Sequence, residues 1–168
     1  TDSAKWDLIV DAASATTSAS AAAASATAAA TSETEITNDS LKGKNTVIYF
    51  YPKDNTPGCT TEGQEFRDSI KEFEACNTQI LGVSRDSMRT HENFKKKHEF
   101  PFELISDPEE EFCKLFDVIK LKKLYGKEYM GIERSTFIIN AEGTLVKEWR
   151  KVKVKGHVAE VLEACKSL

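Results

Sequence analysis

Thr46-Val-Ile-Tyr-Phe-Tyr-Pro52-Lys-Asp-Asn-Thr56-Pro-Gly-Cys59-Thr-Thr-Glu62 decides the reading of this chain. Residues 46–51 are β-branched, aromatic and almost wholly apolar, the mark of a strand buried on both faces. Pro52 and the Asn-Thr-Pro-Gly stretch end that strand in a turn. The pattern then predicts a helix over residues 60–73, with Phe66, Ile70 and Phe73 at i, i+4 and i+7 on one face. Cys59 therefore stands where that helix begins. Backbone N–H groups at a helix start lack intrahelical partners and carry partial positive charge, which favours an anion. Only the thiolate of a cysteine is a nucleophile, so this placement points to a reactive thiol.

Working outward, strands alternate with helices. Residues 79–84 (QILGVS) read as a second buried strand, and 87–98 as a polar helix with Ser87 as its N-cap. Residues 103–105 form a short strand. Ser106-Asp107-Pro108 then opens a helix over 109–116, where proline suits the first turn and the acidic residues suit the dipole. Residues 135–140 and 144–150, joined through Ala141-Glu142-Gly143, read as a hairpin. An amphipathic helix over 157–167, bearing Val158, Val161, Leu162 and Cys165, closes the chain. Alternation implies parallel strands in the centre, and the late hairpin adds antiparallel ones. The expected fold is α/β: a thioredoxin-like sandwich with a mixed central β-sheet flanked by helices.

At 168 residues the chain is long enough for one real core, and its formal net charge of −4 gives no reason to expect nucleic acid or an anionic membrane as partner. No apolar run approaches the roughly 20 residues that span a bilayer, and no secretory signal is visible. The four cysteines, Cys59, Cys76, Cys113 and Cys165, are irregularly spaced. That spacing fits a reduced, cytoplasmic setting better than a disulfide scaffold. His91, His98 and His157 are not at metal-ligand spacing, so neither a metal nor another cofactor is expected. The basic stretches 95–97, 120–123 and 147–155 read as solvated faces, one of which would suit an acidic reductant. Residues 12–32 contain only Ala, Ser and Thr. They read as a linker, as an Ala-rich helix, or, the favoured reading, as small residues standing for unassigned side chains, which an intact mass differing from that of this sequence would reveal. Residues 1–40 are set apart as an N-terminal segment from a domain over 41–168.

Pro52-x-x-x-Thr56-x-x-Cys59 resembles the peroxiredoxin active-site motif. Tyr125-Gly-Lys-Glu-Tyr-Met-Gly131-Ile-Glu-Arg134-Ser-Thr-Phe137 resembles one branch of it, the bacterioferritin-comigratory or PrxQ group. Phe66-Arg67-Asp68, Gly82-Val-Ser-Arg-Asp86 and Leu104-Ile-Ser-Asp-Pro108 extend the resemblance, in order, over residues 41–168. It implies a thiol peroxidase acting on hydrogen peroxide and organic hydroperoxides, with catalytic roles for Pro52, Thr56, Cys59 and Arg134. Those roles are chemically sensible. Cys59 attacks the peroxide. The Cys59 N–H and the Thr56 hydroxyl are the nearest donors for the oxygen that leaves with negative charge. Arg134 opens the strand over 135–140 and can bring a permanent cation beside the thiolate. Pro52 would shield the pocket from water, and Glu62 matches a frequent acidic position or serves only as a helix cap.

Peroxide attack leaves a sulfenic acid that condenses with a second thiol. Many members of the resembled group carry that thiol five residues after the first, where this chain has Gln64. Were the helix continuous over the ~17 residues to Cys76, those two would stand about 25 Å apart, against the roughly 7 Å a disulfide tolerates. Cys113 or Cys165 inside the chain, or an external thiol (thioredoxin, glutaredoxin or a small thiol), is left to complete the cycle, in a monomer or weak dimer. Two rivals remain at this stage. A thioredoxin-like disulfide reductase wants C-x-x-C, and Glu62 fills its second place. A redox-sensing or binding module without turnover would have no need of both Thr56 and Arg134.

Overall fold

The computed structural model describes residues 43–168. The expectations for residues 1–40, including the reading of 12–32, therefore lie outside the described residues. Seven strands and five helices follow in the order β1 (Asn45–Phe50), α1 (Pro57–Asp68), α2 (Ile70–Ala75), β2 (Thr78–Ser84), α3 (Met88–His98), β3 (Glu103–Ser106), α4 (Glu111–Leu115), β4 (Ile119–Leu124), β5 (Lys127–Ile132), β6 (Ser135–Ile139), β7 (Leu145–Trp149) and α5 (His157–Lys166).

Five strands form one mixed sheet in the order β3-β2-β1-β6-β7. β1 pairs parallel with β2, and β2 with β3, through helical crossovers. β6 returns antiparallel to β1, with Phe50 opposite Ser135 and Ile48 opposite Phe137. β7 completes the expected hairpin with a register shift between Ile138 and Ile139. The hairpin turn is built from Asn140, whose side-chain oxygen accepts from the N–H groups of Glu142 and Thr144, and from Gly143 at φ 85°.

Because side chains alternate across a strand, β1 feeds two cores. Ile48 and Phe50 pack with Phe112, Cys113, Phe116, Val118, Ile132 and Phe137 on the α4 side. Val47, Tyr49 and Tyr51 pack with Cys59, Phe66, Phe73, Phe94, Val158, Val161 and Leu162 on the side of α1, α2, α3 and α5. The sandwich expected from sequence is the one observed, and Cys59 and Cys113 lie on opposite faces of its sheet.

The helix expected over 109–116 is the shorter Glu111–Leu115, entered through Glu110 at φ 60°, so Pro108 lies in the turn before it rather than in its first turn. Two larger details also differ from the sequence reading. The helix expected over 60–73 begins at Pro57 and breaks at Ser69, whose φ of −100° and ψ of 6° leave the helical region, before α2 resumes. Phe66, Ile70 and Phe73 kept the apolar spacing across the break, which hid it. The separation inferred from a continuous helix for Cys76 therefore loses its basis. Cys76 caps α2 and belongs to the same apolar cluster as Cys165. Second, residues 119–132 form a hairpin of their own, β4 against β5, outside the main sheet. Ile119 and Ile132 anchor its base, while Leu121, Leu124, Tyr125, Tyr129 and Met130 stay exposed.

Candidate active site

Cys59 is the third residue of α1, with Thr56 as N-cap in an extended conformation and Pro57 at the first helical position. Thr60 N donates to Thr56 O at 2.9 Å, so the N–H groups of Gly58 and Cys59 precede the first intrahelical bond. The start of α1 thus offers a positive end at the thiol. Cys59 itself is only 2% exposed.

Arg134 lies between β5 and β6 and crosses to the start of α1. Its Nη2 donates to Cys59 Sγ at 3.2 Å, and its Nη1 to Glu62 Oε2. One planar fork thus holds the thiol and a carboxylate one helical turn apart, a geometry a lysine cannot reproduce. Gly58 makes the approach possible: a Cβ there would sit 3.2 Å from Arg134 Nη2. On the far side, Val152 N donates to Arg134 O at 2.9 Å. That bond fixes the backbone and draws residues 150–156 alongside the site.

Glu62 is fully buried, and its Oε1 has no hydrogen-bond partner. Burial pushes its carboxyl up from 4.5 to about 7, outweighing the attraction of Arg134, with Glu65 adding to the rise. Arg134 loses some proton affinity to burial, but Glu62 and Cys59 outweigh that loss, and its guanidinium is raised further. His157, at the start of α5, bonds Thr136 through Nε2 at 2.7 Å and meets Trp149 edge-on at 5.6 Å. Burial, then the positive charge of Arg134, lowers it to about 4, so it stands neutral behind the arginine. Lys122 on β4 lies within the electrostatic reach of both Arg134 and Cys59, and burial followed by Arg134 lowers its ammonium.

Of the four residues singled out in the sequence, Cys59, Arg134 and Thr56 thus gather at the start of α1, and Pro52 lies half-buried two residues after the end of β1. Thr56 differs in one respect from its expected role. Its hydroxyl donates to Lys53 O at 2.8 Å, so what it offers a ligand is a lone pair rather than a proton. Glu62 is no simple cap, since it is paired with Arg134 in the interior. A glutamate three residues after Cys59 on a buried helix face was the signal for it. Lys122 and His157 carried no local signal, because each reaches the site through tertiary structure. Among the described residues no cluster of His, Cys, Asp or Glu is arranged to hold a metal, and no helix is long and apolar enough to cross a membrane.

The AhpC/TSA family model matches residues 19–148. The chain belongs to that family. Peroxiredoxin Bcp of Bacillus subtilis is 60% identical over 127 residues, 76% of this chain and 81% of that protein. Peroxiredoxin Bcp of Xanthomonas campestris is 54% identical over 134 residues, 80% of this chain and 84% of that one. A solved structure of the X. campestris bacterioferritin comigratory protein, described for its alkyl peroxide reduction activity, superposes with a TM-score of 0.74 at 53% identity, over 78% of this chain and 83% of that one. Within the AhpC/TSA family the chain is therefore a peroxiredoxin of the Bcp or PrxQ group, a thiol peroxidase on a thioredoxin fold.

Proposed function

We propose that Cys59 is the peroxidatic nucleophile and that Arg134, Thr56 and Pro52 serve it, within a catalytic unit over residues 41–168. The observation that carries this reading is the 3.2 Å contact of Arg134 Nη2 with Cys59 Sγ at the start of α1. The Cys59 thiolate attacks the terminal oxygen of a hydroperoxide. An S–O bond forms, the O–O bond breaks, and the other oxygen leaves as hydroxide or alkoxide, which takes a proton from solvent. Cys59 is then a sulfenic acid. The guanidinium and the first-turn N–H groups offset negative charge as it moves from sulfur to oxygen. The Thr56 hydroxyl, its proton committed to Lys53, can accept from the peroxide O–H and orient it. Hydrogen peroxide and small organic hydroperoxides are the substrates.

The sulfenic acid is resolved by a thiol from outside the chain: thioredoxin, glutaredoxin or a small thiol. Gln64 holds the place of a neighbouring thiol and bonds His98 instead, at 3.3 Å. Cys113 is fully buried across the sheet from Cys59, its amide donating to Asp107 at 2.8 Å, and burial raises its thiol far above the ordinary range. Cys165 is buried and raised to about 11, chiefly by burial. Four free cysteines suit a reducing compartment, and we place the enzyme in the cytoplasm as a monomer or weak dimer.

The test is hydrogen peroxide consumption with dithiothreitol, wild type beside Cys59→Ser. Turnover abolished by the substitution supports the reading. No turnover in either protein, with Cys59 still reduced after peroxide, would favour a binding module. A Cys59 disulfide to Cys113 or Cys165 in non-reducing peptide maps would overturn the external resolution.

A further inference from the structure

We propose that the β4–β5 hairpin, together with residues 150–156, is the docking surface for a protein dithiol reductant whose contact face is apolar and bordered by carboxylates. This inference rests on the peroxidase reading above. The chain has a formal net charge of −4, yet the β4–β5 hairpin and residues 150–156 are basic. The hairpin carries Lys120, Lys122, Lys123 and Lys127 against Glu128, and the loop across from it carries Lys151, Lys153 and Lys155. Lys120 is ion-paired with Asp117.

The two faces of the hairpin follow from its pairing. Lys122 stands opposite Tyr129 and Leu124 opposite Lys127, so all four share one face of the hairpin, and Lys122 on that face lies within the electrostatic reach of Arg134 and Cys59. Gly131 leaves room there, since a Cβ would meet the Tyr129 ring at 3.1 Å and Lys122 Cδ at 3.2 Å. Leu124 is 54%, Tyr129 44% and Tyr125 at the tip 96% exposed. Large exposed apolar side chains interleaved with lysines on one hairpin face have the make-up of a recognition site rather than of a solvated face. Val154 lies 3.9 Å from where a Cβ on Gly58 would stand, so the lysines of residues 150–156 flank the start of α1 that carries Cys59.

The charge selects the occupant. A second copy joined through a two-fold axis would set these lysines against their own equivalents, and like charges face to face oppose association. A partner with carboxylates around an apolar centre meets complementary charge instead. It must also bring a thiol, because Gln64 fills the place beside Cys59 and both Cys113 and Cys165 are buried. Its first thiol condenses with the sulfenic acid, forming an S–S bond and releasing water. Its second thiolate attacks the partner's own sulfur in that mixed disulfide, returning Cys59 as thiolate and leaving the reductant oxidised.

The test compares peroxidase turnover supported by thioredoxin, thioredoxin reductase and NADPH with turnover supported by dithiothreitol. The proteins are wild type, Leu124→Glu/Tyr125→Glu and the charge reversal Lys127→Glu/Lys153→Glu. The expected result is a loss of roughly tenfold or more in kcat/KM for thioredoxin in both variants. Turnover with dithiothreitol should stay within about twofold of wild type, and the wild-type rate with thioredoxin should fall as salt rises. Thioredoxin kcat/KM unchanged in both variants would overturn the proposal. So would a wild-type dimer that the variants dissociate in sedimentation, which would give the face to a second copy. Wild type active with dithiothreitol but not with thioredoxin would also overturn it. Wild type inactive with both would instead defeat the peroxidase reading beneath it.

Discussion

Glu62→Gln should change how stability depends on pH, by an amount the structure sets. The Glu62 carboxyl titrates at 4.5 in an unfolded chain and at about 7 in its buried place beside Arg134. Between those values the folded protein holds a proton that the unfolded chain has released, so stability falls as pH rises. The contribution is fully present below 4.5 and gone once pH has passed 7. At about 1.36 kcal/mol for each tenfold change in proton affinity, it amounts to about 3 kcal/mol. His157 runs the other way. Its folded value is depressed from 6.5 to about 4, so its contribution is present above 6.5 and is lost as pH falls through 4. The two flank one guanidinium and oppose each other over nearly the same window, which should leave the wild-type profile shallow there. The glutamine side chain cannot titrate, so the variant should gain on wild type with rising pH, the difference growing by about 3 kcal/mol from about pH 4.5 to about 7.5. Urea unfolding of the reduced proteins, followed by circular dichroism across that range, measures the difference directly. A difference that changes by less than about 1 kcal/mol over the window would refute the assignment of a neutral, buried Glu62 at low pH.

Three further substitutions probe the same site. Arg134→Lys keeps the charge but loses the fork that holds Cys59 and Glu62 together. A hydrogen bond to a charged group is worth about 1.5–3 kcal/mol, so stopped-flow oxidation of Cys59 by peroxide should slow about 10- to 100-fold, and a rate within about threefold of wild type would count against the role. Gly58→Ala sets a methyl 3.2 Å from Arg134 Nη2 while adding a better helix former. Peroxide reactivity should therefore fall severalfold with the melting temperature unchanged or slightly raised, and a loss of both together would mean simple misfolding. Gly63→Ala is the reverse case. Its methyl would lie 2.5 Å from Phe100 Cζ, so the variant should lose about 1–3 kcal/mol in urea unfolding yet retain its rate of Cys59 oxidation.

What could be read from the sequence was local. The strand, the turn and Cys59 at a helix start are encoded in seventeen consecutive residues, and β1 and α1 follow them. Tyr125-Gly126 between two six-residue runs was a turn signal for β4 and β5, but lysines on both faces of β4 erased the alternation that marks a half-buried strand. The Ser69 break was masked because the apolar spacing ran straight through it. The partnership of Arg134 with Glu62 was less legible still, because it depends on the antiparallel register that sets Phe50 opposite Ser135. No window of sequence holds that register. His157 and Lys122 reach the arginine and the thiol by the same non-local route, from α5 and β4.

On the proposed mechanism, the buried Glu62 serves that arrangement across the whole cycle. On that mechanism, Arg134 faces both Glu62 and the reacting sulfur, and the negative charge on that sulfur is lost when it becomes a neutral sulfenic acid. An arginine held only by the thiolate would lose its anchor at each turnover, and would have to be repositioned before the next peroxide arrived. Glu62 is not consumed by the chemistry. Fixed on α1 three residues from Cys59 and shielded from water, it keeps the guanidinium aimed at the sulfur while the charge there comes and goes. Burying a carboxylate with an unpartnered oxygen costs stability, which is why its proton affinity rises so far. A residue that weakens the fold at neutral pH yet stays in contact with Arg134 fits the proposed positioning role better than a stabilising one.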